Sequence, residues 1–295
     1  HSDVHNKVFM HTLGEFGWHE MPDVPSQQRL QGRIAASAVA LNNNFFVFGG
    51  FAVNADGTEQ TAADSYRFDP ITKRYTRLND IPVPVDDAVA LTYQNRYIYL
   101  VSGWSDHGNV NLVQVFDNYT QRWSQATPFP GKPVFGLAGA MADNQMLVCD
   151  GVALQYFGDK KREYKSEPAC YLGSVGDNAN QIDWRIVAHP TGTARYRMAG
   201  INTKIDGKDM LVFIGGSTNP YNYNGIGYNG QPSEPDSKVW VFSVADKRWL
   251  KASDTTAVMD LRSLVEIDGD IYSVGGMQSG QQVSSKLIKH PIKLQ

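Results

Sequence analysis

Short runs of alternating apolar and polar residues fill this chain, and they recur as copies of one unit. The unit opens with a strand of small alternating residues and a polar turn. An apolar strand follows and ends in two small residues, usually Gly-Gly. After a variable loop comes a strand closing near an aromatic, then a turn, then a strand that opens with Trp or Tyr. The first copy runs from Ala35 to Leu41, through Phe45-Phe46-Val47-Phe48-Gly49-Gly50 and Ser65-Tyr66-Arg67-Phe68-Asp69, to Tyr75. The second places Tyr97 to Gly103 before Val113-Gln114-Val115-Phe116 and Trp123. The third places Met146 to Gly151 before Cys170-Tyr171-Leu172 and Trp184, and the fourth places Phe213-Ile214-Gly215-Gly216 before Val239 to Phe242 and Trp249. The fifth has Ile271 to Gly276 and closes with Lys286-Leu287-Ile288. A two-residue period broken by turn signals predicts strands, and four per unit predict a small antiparallel sheet.

The second small residues fall at 50, 103, 151, 216 and 276, roughly 50 to 65 residues apart. Each feature has a cause. Small residues suit a first strand near an axis where sheets converge. The doublet marks backbone that a Cβ would obstruct. The fourth-strand aromatic fills the widening gap between neighbouring sheets. Together they predict a single all-β domain over residues 1–295, a kelch-type β-propeller. Gly50, Gly103, Gly151, Gly216 and Gly276 are expected at equivalent points of successive blades. Trp18, Tyr75, Trp123, Trp184 and Trp249 are expected at equivalent, largely buried fourth-strand positions. A sixth third-strand pattern, Lys7-Val8-Phe9-Met10, precedes Trp18 and matches Lys238-Val239-Trp240 ahead of Trp249. Two closures follow. Either this is a six-bladed parent fold whose first inner hairpin lay upstream of His1, or five blades close with the strand of Trp18 completing the last.

Composition changes little in that picture but excludes some functions. The chain is 42% hydrophobic with a net charge of −3, which suits a folded core and offers no basic field for nucleic acid. No apolar run approaches the ~20 residues of a membrane span. Cys149 and Cys170 share one repeat; a disulfide between neighbouring strands and a pair of buried thiols are both open.

The Phe48-Gly49-Gly50 turn, the segments Asn54 to Gly57 and Phe68-Asp69-Pro70, and the long loop Asn219 to Tyr228 resemble bacterial kelch proteins related to N-acetylneuraminate (sialic acid) mutarotases, a group loosely labelled galactose-oxidase-like. The resemblance covers nearly the whole chain. It implies a propeller that binds or isomerises an acidic sugar in its central channel, in a periplasmic or secreted setting. One departure stands out: where mutarotases of this type carry Gly-Glu, this chain reads Asp150-Gly151-Val152, so that role is not carried over. Copper oxidation would need tyrosine, histidine and a cysteine-crosslinked tyrosine around one metal. The seven histidines are scattered without metal-ligand spacing, so neither metal nor cofactor is expected.

Two loop types should converge at one end of the channel: those leading into each first strand and those after each doublet. They supply Asp86, Asp87, His107 and Asp150 as candidate proton-transfer groups. They also supply Arg33, Trp104, Arg195, Arg197, Tyr221, Asn222, Tyr223 and Arg262 as candidate ligand-binding groups. Arginine forks suit a carboxylate, polar groups suit hydroxyls, and aromatic rings suit sugar faces. Adjacent carboxyls raise each other's pKa, so the pair Asp86-Asp87 could supply a general acid. A propeller that binds a glycan or a protein on its face without catalysis is the alternative.

Overall fold

The computed structural model describes residues 4–26, 32–54, 58–106, 108–156 and 162–295. These residues are strands and turns apart from one 3-10 turn at Ser279–Gln281. Five blades follow the chain. Blade one pairs Ser37–Leu41, Asn44–Phe48, Ser65–Asp69 and Arg74–Arg77 in that order, and blade two pairs Val89–Tyr93, Tyr97–Val101, Val113–Asp117 and Arg122–Gln125. Blade three is Ala138–Ala142, Gln145–Cys149, Cys170–Val175 and Ile182–Val187, and blade four is Tyr196–Ile205, Lys208–Ser217, Trp240–Ser243 and Arg248–Leu250. Blade five has three strands, Val265–Ile267, Asp270–Val274 and Leu287–His290. An N-terminal hairpin of Val8–Met10 (β1) and His19–Met21 (β2) forms its own two-stranded sheet.

The doublets explain themselves in φ. The first residues, Gly49, Ser102, Asp150, Gly215 and Gly275, lie at 59°, 56°, 65°, 77° and 70°, and the second glycines lie between 79° and 105°. The second position also presses on backbone: a Cβ would stand 2.7 Å from the Ile34 carbonyl at Gly50 and 2.7 Å from that of Met259 at Gly276. Glycine there is a steric requirement. The two departures at the first position are compensated by hydrogen bonds. The Ser102 hydroxyl lies 2.8 Å from the carbonyl oxygens of Val110 and Val134, and Asp150 accepts from the Arg195 amide.

Just before each first strand a second set of left-handed residues forms the hub. Ala35, Asp87, Gly136, Arg197 and Asp260 have φ of 56°, 46°, 63°, 54° and 61°. The amide of Asp87 donates to Ala35, that of Gly136 to Asp87, that of Arg197 to Gly136 and that of Leu261 to Arg197, at 2.9 to 3.1 Å. Each blade is thus stitched to the one before it at the axis.

Apolar clusters fill the clefts between consecutive blades. Phe46 and Phe48 pack with Ile98, Leu100 and Phe116 between blades one and two. Tyr99, Val101 and Val115 meet Met146 and Val148 between two and three. Leu147 and Leu172 meet Leu211 and Phe213 between three and four, and Val212 and Ile214 meet Leu264 and Ile271 between four and five. The fourth-strand aromatics sit at matched register opposite the third strand: Tyr75 opposite Phe68, Trp123 opposite Phe116, Trp184 opposite Gly173 and Trp249 opposite Phe242. Each also reaches back to the previous blade. The indole N–H of Trp123 donates to Asn79, that of Trp184 to Thr127 and that of Trp249 to Ala188. The Tyr75 hydroxyl does the same to Pro22, just after β2, so the N-terminal hairpin occupies the outer half of a blade preceding blade one.

Two expectations need correction. Trp18 is 40% exposed, because among the described residues no inner strand packs over it as Phe213 packs on Trp249. Its strand also pairs with β1 rather than with Leu287–His290, so it does not complete the fifth blade. Cys149 and Cys170, directly opposite on adjacent strands, are joined in a disulfide rather than standing as two thiols.

Tyr75, Trp123, Trp184 and Trp249 are half-buried rather than largely buried, so Trp249→Ala is expected to destabilise the fold by about 2 kcal/mol in denaturant unfolding, and Trp18→Ala by about 1 kcal/mol or less. Equal losses for the two variants would contradict the latch.

Candidate functional site

The hub divides the axis into two cavities. On one side a channel of about 440 Å³ runs between the first strands, walled by small residues such as Ala38, Ala90, Gly139, Ala140 and Gly200. On the other side a pocket of about 110 Å³ opens among the loops. Asp87 and Arg197 border both. The Arg197 guanidinium bonds Asp87 at 2.6 Å and Asp260 at 3.1 Å. Arg262, partly exposed, approaches Asp87 at 3.1 Å and Asp260 at 3.4 Å. Burial alone would depress Arg197, yet Asp87 leads the neighbours that hold its pKa well above the usual value. Burial likewise works to raise Asp260, but Arg197 and then Arg262 keep its carboxyl below the usual range. Two acids and two arginines therefore neutralise one another at the axis.

Asp86 stands outside that balance. Its backbone bridges to Trp104, which fixes the side chain at the pocket. It is buried, and among the described residues its carboxyl has no ion-pair partner. Burial, followed by the neighbouring Asp87 charge, holds its pKa well above the usual carboxylate range. Aromatic rings wall the pocket. Phe135 meets Trp104, Tyr164 and Tyr196 edge-on with centroids 5.6 to 6.1 Å apart. Tyr164 stacks on Tyr228 at 4.1 Å, and buried Tyr221 lies edge-on to Tyr196 at 5.1 Å. The Tyr196 and Tyr221 hydroxyls are buried, beside Tyr228 and the Asp260 backbone respectively. Burial pushes Tyr228 up to about 12 and Tyr196 well above its ordinary value. Asn222, exposed Tyr223 and exposed Glu59 complete the lining.

The structure thus gathers Asp86, Asp87, Trp104, Arg197, Tyr221, Asn222 and Tyr223 at one pocket, with Arg262 behind the hub. Arg33 and Arg195 take a different place. Both turn away from the axis and fasten the first doublet residue of their own blade: Arg33 donates to the Gly49 carbonyl at 2.7 Å and Arg195 to that of Gly215 at 3.0 Å. Arg33 also forks onto Asp64. Arg195 bonds the Lys238 carbonyl and stacks 3.9 Å over Trp240, and burial lowers its pKa to about 10. A shared position before a first strand therefore does not mean a shared direction: Arg195 and Arg197 are two residues apart and face different surroundings because Arg197 alone carries the positive φ of the hub.

Asp150 is likewise removed from both cavities. Its carboxylate accepts the Arg195 amide at 2.7 Å and faces His189 Nε2 at 2.7 Å. Asp150, Cys170 and His189 bring ligand-type atoms within 4.8 Å. However, Cys170 is held in the disulfide, and His189 Nδ1 accepts the Gly192 amide at 2.7 Å. That leaves the Nε2 proton to Asp150, so the cluster acts as a structural clasp rather than a metal centre. His107 lies outside the described residues. Glu59 and Tyr164 are pocket groups the sequence did not disclose. Both sit on side hairpins that follow a doublet, Phe51–Val53 with Glu59–Thr61 and Val152–Tyr156 with Arg162–Ser166, and those hairpins have no counterpart of matching length in every repeat.

With blades, doublets and hub in place, the chain is a kelch-type β-propeller, an architecture used both for binding and for catalysis. No family model matches it. Over 154 residues it is 25% identical to Kelch-like protein 15 of Gallus gallus, a match taking in 52% of this chain and 30% of that protein. Over 261 residues it is 23% identical to Kelch domain-containing protein 3 of Rattus norvegicus, taking in 83% of this chain and 64% of that protein. The chain therefore spans less than two thirds of these relatives. Among solved structures, that of YjhT superposes with a TM-score of 0.74 at 15% identity, over 98% of this chain and 90% of that one, which shows the fold.

A carboxyl whose pKa is raised on folding weakens the folded state as pH climbs, because the unfolded chain loses its proton first, near pH 4. Wild-type stability, measured by urea unfolding, is expected to fall relative to Asp86→Asn from pH 4 upward to the raised pKa. Parallel curves between pH 4 and 8 would show that Asp86 ionises normally.

Proposed function

We propose that the loop-end pocket binds one sugar ring and promotes exchange between its anomers. The observation that carries this reading is the unpaired, buried Asp86 carboxyl beside stacked aromatic walls, with exposed Glu59 across the same pocket. Aromatic faces such as those of Trp104, Phe135, Tyr164 and Tyr228 at the pocket suit the apolar faces of a pyranose. Anomer exchange needs an acid at the ring oxygen and a base at the anomeric hydroxyl. Protonated Asp86 gives its proton to the ring oxygen as the bond from the anomeric carbon to that oxygen breaks. Glu59 takes the hydroxyl proton, leaving the open-chain carbonyl, and reclosure on the other face returns both protons.

The resemblance to N-acetylneuraminate mutarotases points to an acidic sugar. Arg197, the pocket arginine, and Arg262 behind it are already shared between Asp87 and Asp260, so a ligand carboxylate would have to displace an acid. We therefore place neutral rings ahead of acidic ones. The volume, below the ~300 Å³ of drug-sized sites, fits a single ring with its substituents in the open mouth. The Cys149–Cys170 disulfide supports an oxidising, periplasmic or secreted setting.

NMR exchange between anomers, run with and without protein on a neutral and an acidic sugar beside calorimetric titration, tests the reading. Faster exchange is expected for a neutral ring, reduced about 10²–10⁴-fold by Asp86→Asn or Glu59→Gln. Binding without faster exchange would leave a non-catalytic lectin-like propeller. No binding of any sugar would move the function to a protein partner.

A further inference from the structure

The loop-end pocket has a charge character that a neutral sugar does not use. Among the described residues of its lining, three acids stand against one cation: Glu59, Asp86 and Asp87 against Arg197. Arg197 is already committed. Its guanidinium bonds Asp87 at 2.6 Å and Asp260 at 3.1 Å, and Arg262 behind it approaches the same two acids. The hub charges are thus closed on one another. Asp86 and Glu59 are left with no ion-pair partner among the described residues. Asp86 is buried at 4% exposure, and Glu59 is exposed at the mouth. The Glu59 charge is felt both at Asp86 and at the Tyr164 hydroxyl. Arg162 also acts on Tyr164, but from outside the lining. The pocket therefore carries an excess of acid with no cation of its own to meet it.

The walls select the kind of cation. A hard metal ion wants a shell of oxygens at short range, whereas this lining is mostly rings: Trp104, Phe135, Tyr164, Tyr221, Tyr223 and Tyr228. The face of an aromatic ring is its negative side, and it attracts an alkylammonium group that has given up part of its water. Tyr164 and Tyr228 stack at 4.1 Å with their planes 17° apart, and Tyr223 is 57% exposed. The protein already makes this kind of contact on the hub side, where the Arg197 guanidinium lies 4.7 Å over Tyr196 and 5.6 Å over Tyr221. Rings together with an unmatched carboxylate form a cage suited to an organic cation.

We propose that the ligand of this pocket carries a protonated alkylamine, held between the Glu59 carboxylate and the aromatic walls. Where the inference rests on the anomer-exchange reading, the sugar is an amino sugar with its ammonium on the carbon next to the anomeric one. Substituents on adjacent carbons lie side by side, so Glu59 faces the ammonium and the anomeric hydroxyl together, while Asp86 stays at the ring oxygen. An N-acetylated ring loses the charge and adds a group that a cavity of about 110 Å³ has to admit.

Calorimetric titration of the intact protein with glucosamine, glucose and N-acetylglucosamine, at a pH where the amine is protonated, tests the proposal. Glucosamine is expected to bind about tenfold more tightly than either uncharged ring, the scale of a partly desolvated cation–π contact. Glu59→Gln, at an exposed position that spares the fold, is expected to remove most of that ratio. Equal affinities, tighter binding of N-acetylglucosamine, or a ratio that Glu59→Gln leaves intact would overturn the proposal, and the anomer-exchange reading would then still be decided by the exchange rate of the neutral ring. Choline, set against its uncharged carbon isostere dimethylbutanol, separates the two claims from the other side. Choline bound about tenfold more tightly, with no sugar bound at all, would support the ammonium site and remove the sugar.

Discussion

Everything in this propeller hangs on one backbone device, the relay of left-handed residues at the hub. All but Gly136 hold a φ that L-residues adopt reluctantly, at a cost of order 1 kcal/mol or more, and Ala35, Asp87, Gly136 and Arg197 each accept an amide of the following blade. The relay sets the radius at which the first strands meet and therefore why those strands carry Ala, Gly and Ser. It also sends the side chains of Asp87, Arg197 and Asp260 to a common point on the axis. A charged cluster on the axis is thus a consequence of the way the blades are joined, and the partition into two cavities follows from the cluster.

That partition decides the chemistry. Because the hub charges cancel, the loop-end pocket is governed by what remains, a carboxyl whose pKa burial raises and a set of aromatic faces. A propeller with unpaired arginines on the axis would attract anions. This one presents a buried carboxyl among aromatic and polar groups. The balance also explains how Asp87 can lie deep in the protein beside Asp86: its charge is met by two guanidinium groups, while Asp86 has no ion-pair partner among the described residues and burial raises its pKa well above the usual carboxylate range.

The blades, their order and the positions of the doublet glycines were readable in the sequence because a constraint repeated five times leaves a repeated mark. The latch aromatics were readable for the same reason, and the one that differs, Trp18, differs because among the described residues no inner strand packs over it. The site was legible only in part. Asp86, Asp87, Trp104 and the loop of Tyr221 were found by position in the repeat. Arg33 and Arg195 share that kind of position but are spent on doublet carbonyls, a distinction of direction that residue type does not carry. Glu59 and Tyr164 belong to side hairpins that recur after the doublets with different lengths and sequences, and a reading built on a repeated residue pattern passes over segments that share only their place.

The aromatic latches all point one way, from each blade to the segment leaving the blade before it. Mechanical load therefore passes asymmetrically along the chain. A blade that loosens releases its grip on its predecessor, whereas its own outer strand stays held by its successor. In a ring of nearest-neighbour contacts, that polarity ties the outer edge of each of the first three blades to the blade that follows it.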